Sequence, residues 1–213
     1  MVILTVSCAS FNNAAKYPDM VADVDPFSIG TVNASFDQTF PPQLRTDTVE
    51  VIFYPRENKV ALEFKMNLGQ YRQFWDKEGR RLFAVGLSRY EEDFDKHRLT
   101  NNYNKTSSVY GKFKSRFEWK ATSLSSTYKS SPVVQLGYRF RGDSPFFATR
   151  QLKADEETKT NEGLTESPSF SIYFNRAQAK ELAGMFDEAF LKESVQSKGP
   201  TPALNTIGDE YQP

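Results

Sequence analysis

At 213 residues, with 27 Lys and Arg against 27 Asp and Glu, the chain has the length of one domain and no net charge. It therefore has no basic excess to draw it to nucleic acid or an anionic membrane. One cysteine excludes an intramolecular disulfide, and one histidine, His97, excludes a multi-histidine metal site.

The first apolar run ends in Leu4-Thr5-Val6-Ser7-Cys8, which has the form of a bacterial lipobox: small and apolar residues leading to a cysteine that is lipidated after cleavage. Ala9 to Asp25 has no periodicity and reads as a tether. Residues 1–26 are thus expected to be a shortened lipoprotein signal and its tether, with lipidated Cys8 as a membrane anchor. A charged leader and most of the apolar stretch are missing ahead of Cys8. The plainer alternative is a frayed terminus carrying a chance cysteine.

Thr31 to Asp37 and Thr48 to Tyr54 alternate as short strands, separated by Phe40-Pro41-Pro42, whose prolines cannot donate to a ladder. Pro55-Arg56-Glu57-Asn58 predicts a hairpin turn into Val60, Leu62, Phe64, Met66 and Leu68, a strand with every even position apolar. Beyond Gly69 the apolar positions turn odd, at Tyr71 and Trp75. A bulge at Gly69 would flip the register in this way and bend a strand that would otherwise run roughly 50 Å at ~3.3 Å per residue. A helix beginning at Leu68, or a turn at Asp76-Lys77-Glu78-Gly79, are the competing readings. Asp76 as N-cap opens a helix with Leu82, Phe83, Gly86, Leu87, Tyr90 and Phe94 on its apolar side.

After a loop from Asn101 to Ser107, Val109 to Lys120 predicts one strand with an apolar and a charged face. A Ser-rich connection, Ser123 to Ser131, leads to a strand over Val134 to Phe140, a turn at Gly142-Asp143-Ser144-Pro145, and a strand over Phe146 to Ala154. Lys153 to Pro168 is polar and expected to be mobile. Phe170, Ile172 and Phe174 form the last strand. Asn175 and Gln178 then make a capping box for a second amphipathic helix through Ala179, Leu182, Ala183, Phe186 and Phe190. From Gln196 the chain reads as a disordered tail. The expectation is an α+β domain over 27–195: a mainly antiparallel sheet of about six or seven strands with two amphipathic helices on one face, and a tail over 196–213.

Chemistry is sparse. No phosphate-cradling glycine loop, dinucleotide fingerprint, zinc helix or calcium loop occurs, so no cofactor and no metal are expected. Glu91, Glu92, Asp93 and Asp95 read as a solvated helix face. Tyr71, Arg72, Trp75 and Arg81 are a candidate ligand-binding surface, since arginine with aromatic rings suits an anionic or sugar ligand. Packing of those rings in the core is the commoner use. Arg141-Gly142-Asp143 spells an integrin-recognition tripeptide on an exposed turn, a candidate adhesion site, although Gly-Asp is also ordinary turn chemistry.

Leu4–Cys8, Tyr71-Arg-Gln-Phe-Trp-Asp76, Arg89-Tyr90, Asp93-Phe94 and Tyr173-Phe174-Asn-Arg-Ala-Gln-Ala179 together resemble uncharacterised lipoproteins of spirochaete bacteria over residues 45–193. The resemblance implies a cell-envelope location and carries no activity or site residues. The expected function is a non-enzymatic, lipid-anchored envelope protein with a binding or structural domain. A surface adhesin and a hydrolase without a recognisable motif are the alternatives.

Overall fold

A computed structural model of the chain describes residues 17–38, 43–101, 108–122, 124–155, 157 and 166–198. Among the described residues, ten strands form one antiparallel sheet curled into a half-barrel. In chain order they are β1 (Phe27–Gln38), β2 (Gln43–Tyr54), β3 (Lys59–Met66), β4 (Gly69–Trp75), β5 (Val109–Lys114), β6 (Phe117–Lys120), β7 (Tyr128–Ser130), β8 (Val133–Arg141), β9 (Ser144–Gln151) and β10 (Phe170–Phe174). Helix α1 (Lys77–Asp95) follows β4, and α2 (Arg176–Phe186) and α3 (Glu188–Lys198) follow β10. The sheet order is β5-β8-β9-β10-β1-β2-β3-β4-β6-β7.

This corrects the expectation of six or seven strands and two helices, and each difference has a local cause. The stretch through Gly69 is not one bulged strand but a hairpin: β3 pairs antiparallel with β4, with Met66 opposite Gly69. Asn67, at φ 55, takes the left-handed conformation that the reversal needs. A two-residue turn sets even positions of one strand opposite odd positions of the next, so it switches apolar parity just as a bulge does. Val109 to Lys120 divides at Ser115-Arg116 into two strands bound for opposite ends of the sheet: β5 pairs with β8, and β6 with β4 and β7. The inner-face alternation runs unbroken through that division, leaving no mark in the sequence. Strand β7 lies inside the Ser-rich connection. The second helix breaks at Asp187, whose carboxylate caps α3 by accepting from the amides of Ala189 and Phe190. Leu191, rather than the exposed Phe190, then turns to the core.

Other expectations hold. Asp76 caps α1 by accepting from the Gly79 amide, and Asn175 and Gln178 form the capping box of α2. Tyr54 and Lys59 flank the β2–β3 turn, and β8 and β9 are joined by a two-residue turn in which Gly142 has φ 59. At Gly137 the backbone leading into β5 passes so closely that a Cβ would collide with the Ser108 carbonyl. The expected loop at 101–107 and the mobile segment at 153–168 fall mostly outside the described residues, as do Phe40-Pro41-Pro42 and all of the tail beyond Lys198. Residues 17–26 include packed positions: the Val21 amide donates to the Pro55 carbonyl, and Arg56 pairs with Asp23 and Asp25.

The ends of the curl meet where β5 passes into β6. Ser115 donates its amide to the Pro132 carbonyl and its hydroxyl to the Phe74 carbonyl, while the Phe74 amide donates to Arg116. Inside, two aromatic clusters fill the concavity. Toward the helices, Phe83 of α1 meets Trp75, Phe147, Phe174 and Phe186. Toward the other end, Phe36, Phe64, Tyr71, Phe117, Trp119 and Tyr128 stack across the strands with centroids 5.0–6.1 Å apart. A polar layer lies between, where Gln73 Nε2 donates to Gln151 Oε1 across the curl at 2.9 Å.

Tyr90 is fully buried, its hydroxyl donating to the Pro145 carbonyl at 3.0 Å, and burial pushes its pKa up to about 12. Burial is also the leading cause of the raised pKa values of Tyr71 and Tyr173. Above about pH 10 the unfolded chain sheds phenolic protons that the folded chain keeps. Stability should therefore be complete below about pH 10 and fall as the pH rises toward 12. Urea midpoints across that range check this, and Tyr90→Phe should remove part of the decline. A midpoint that does not move would contradict the assignment.

Candidate functional site

Register builds the site. On the outer face, Lys65, Gln70 and Lys120 form one cross-strand row over β3, β4 and β6, and Glu63, Arg72, Glu118 and Lys129 form the next. Directly opposed side chains in such rows lie within reach of one another. Arg72 donates through Nε and Nη2 to Glu63 Oε2 at 2.8 and 2.5 Å, and its Nη1 lies 3.7 Å from Glu118 Oε2. Arg116 reaches Glu118 Oε1 through Nε and Nη2 at 3.2 and 2.6 Å, with its guanidinium 4.3 Å from the Phe74 ring centroid. Burial works against the charge of Arg72, but Glu63 and Glu118 outweigh it and hold the guanidinium pKa above its ordinary value.

Between the two rows lies a cleft of about 190 Å³, lined by Glu63, Gln70, Arg72, Glu118, Lys120 and Thr127, with Tyr71 and Trp119 in its wall. Arg72 and Lys120 balance the two carboxylates, so the cleft offers hydrogen-bond donors and acceptors more than net charge. Lys120 has no ion pair among the described residues.

The predicted quartet does not converge. Tyr71 and Arg72 share the cleft, Tyr71 from the inner aromatic stack and Arg72 from the outer face. Trp75 is fully buried against Phe83, Phe113 and Phe186. Arg81 lies on the exposed side of α1, where its Nε and Nη2 donate to Glu78 at 2.7 Å. Sequence reasoning missed Glu63, Gln70, Glu118, Trp119, Lys120 and Thr127, because the β4–β6 pairing that assembles them joins segments distant in the chain.

At the β8–β9 turn, Gly142 and Asp143 are exposed. Arg141 instead turns back onto the sheet. Its guanidinium pairs with Asp37, bonds the Tyr173 hydroxyl and lies 4.6 Å from the Tyr173 ring centroid, while Tyr173 donates to Asp37 Oδ2 at 2.8 Å. Cys8 lies outside the described residues.

The acidic face of α1 is paired rather than solvated alone. Glu91 and Asp95 meet Lys180 and Arg176 of α2, and Asp93 meets Arg98 and the Tyr110 hydroxyl. No group of three His, Cys, Asp or Glu that could hold a metal occurs among the described residues.

Fold and cleft together define an α+β domain on a curled ten-stranded antiparallel sheet with a small, charge-balanced cleft on its outer face. A family model described as an uncharacterised Treponema protein matches residues 26–193, so the chain belongs to that family. The match agrees with the spirochaete resemblance and begins further toward the N-terminus than the resemblance did; its description says nothing of lipidation. No curated protein and no solved structure matches the chain.

Proposed function

We propose that this is a lipid-anchored protein of the bacterial cell envelope whose domain binds a small, neutral, hydroxyl-rich ligand, such as a sugar, in the outer-face cleft. The observation that carries the binding reading is the Glu63–Arg72–Glu118 row along the cleft, whose two carboxylates are balanced by Arg72 and Lys120 and whose acceptors and donors are fixed by cross-strand register. Hydroxyl groups both donate and accept, so they can satisfy such a row where a bare anion or cation would meet its own sign. Tyr71 and Trp119 line the wall with their faces already stacked on Phe64, Phe117 and Tyr128, so the rings close off the cleft and the polar row alone is left to bind. The anchor reading rests on the Leu4–Cys8 lipobox. Adhesion through Arg141-Gly142-Asp143 is the weaker reading, since the Arg141 guanidinium is already engaged by Asp37 and Tyr173.

Titration with glucose, N-acetylglucosamine and glycerol, followed by tryptophan fluorescence, tests the cleft. At least one probe should give a saturable change that Lys120→Ala or Thr127→Val weakens at least about tenfold, equivalent to 1.4 kcal/mol. No saturable change with any of the three would overturn the assignment. Intact mass of the protein from expressing bacteria tests the anchor: a diacylglyceryl addition at Cys8, lost in Cys8→Ser, is expected, and an unmodified Cys8 refutes it.

A further inference from the structure

A larger cleft, about 540 Å³, opens at the helix end of the molecule. Residues 18–21, Asn58 of the β2–β3 turn, Lys77 at the start of α1, and Glu188, Lys192 and Gln196 of α3 enclose it. Positions 188, 192 and 196 recur at four-residue spacing and so share one side of α3. Its volume lies within the range of small-ligand sites.

Behind this cleft is Arg80, only 3% exposed. Its Nη1 donates to the carbonyls of Asn58 and Trp75 at 2.8 and 3.2 Å, and its Nη2 donates to Asn58 Oδ1 at 2.9 Å and to Glu188. Two consequences follow for the cleft wall. The Glu188 carboxylate is neutralised from behind, and the Asn58 side-chain oxygen is occupied, which leaves the Asn58 amide hydrogens as the group available to a ligand. Asp19 is the other carboxylate in the wall. Against it stand Lys77 and Lys192, neither of which has an ion pair among the described residues. The cleft therefore carries a net positive charge in a chain whose total charge is zero, and presents two ammonium groups with an amide donor at a rigid turn.

We infer that this cleft binds a phosphate group, carried either by a small soluble ester or by the headgroup of an anionic lipid. Phosphate offers several strong acceptor oxygens and a charge that two lysines and an amide match, and a lysine binds it as a point charge without bidentate geometry. The lipid arm rests on the anchor reading, because residues 18–21 belong to the segment that leads back to Cys8. The soluble arm does not depend on it.

The test uses the full chain carrying Cys8→Ser, titrated with inorganic phosphate and glycerol 3-phosphate by calorimetry and mixed with vesicles of phosphatidylglycerol or phosphatidylcholine for co-sedimentation. Saturable binding of a soluble phosphate, or sedimentation with phosphatidylglycerol but not phosphatidylcholine, is expected. Either should fall at least about tenfold in Lys77→Ala/Lys192→Ala, equivalent to 1.4 kcal/mol. Both lysines are exposed, so the double variant should unfold at the parent's urea midpoint. Binding of glycerol 3-phosphate identifies the soluble source, and binding to vesicles alone identifies the headgroup. Failure of all the probes, or a double variant that binds as tightly as the parent, overturns the inference. Neither outcome bears on the sugar titration or on the mass of Cys8.

Discussion

Replacing Arg80 by alanine should cost the domain about 3 kcal/mol, the low end of what breaking a buried charge pair costs, because Glu188 keeps some solvent. The guanidinium ties together three parts of the chain: the β2–β3 turn through Asn58, the end of β4 through the Trp75 carbonyl, and the first turn of α3 through Glu188. Removing it leaves two carbonyl groups and the Asn58 side-chain oxygen without their donor, and leaves Glu188 without its counter-charge. Asn58 holds φ 49, a conformation that a non-glycine residue keeps only where its surroundings enforce it. Arg80→Lys should recover little, since a single ammonium cannot reproduce a planar fork reaching four acceptors. Urea unfolding followed by circular dichroism checks this. A loss under about 1 kcal/mol, the range of exposed pairs, would show that the arginine acts as a surface residue.

Arg80 also marks where sequence reading stops. Among Arg72, Arg80, Arg81 and Arg89 nothing in composition separates the buried one from the others. The difference is made by α3, which arrives more than a hundred residues later to supply Glu188. Local signals were legible where a residue acts on its own neighbours: the caps at Asp76 and Asn175, the alternation of β2, β8 and β10, and the turn at Gly142. They failed where two local structures leave the same pattern. A two-residue hairpin at Asn67-Leu68 and a bulge at Gly69 both switch the apolar parity, and only pairing decides between them. The strand that divides at Ser115 is a sharper case, since Phe113, Ser115 and Phe117 keep one inward phase while β5 and β6 join opposite ends of the sheet. The outer-face cleft shares that fate. Its residues come from β3, β4, β6 and the loop after β6: Glu63 meets Arg72 across the β3–β4 hairpin, and Glu118 joins them only because β4 and β6 pair.

Phe83→Ala should be the most damaging single truncation in the core, at about 4 kcal/mol. The ring has centroids of Trp75, Phe147, Phe174 and Phe186 within 5.1–6.2 Å, so α1 meets β4, β9, β10 and α2 at one side chain. Walls drawn from four other elements cannot all close on the space left behind. Phe83→Leu, which keeps most of the volume, should cost under about 1.5 kcal/mol. The other cluster has its own centre in Phe117, stacked between Tyr71 and Trp119 and tilted against Phe170. The bond between Gln73 and Gln151 lies in the polar layer dividing the two clusters, which the buried hydroxyls of Ser130 and Thr149 extend. Side chains that share no partner should contribute independently, so Phe83→Leu and Phe117→Leu combined should add to within about 0.5 kcal/mol. Urea unfolding of the two single variants and the double variant measures that sum. Both clusters belong to one buried core, and a coupling above about 1 kcal/mol would mean that the polar layer does not insulate them from each other.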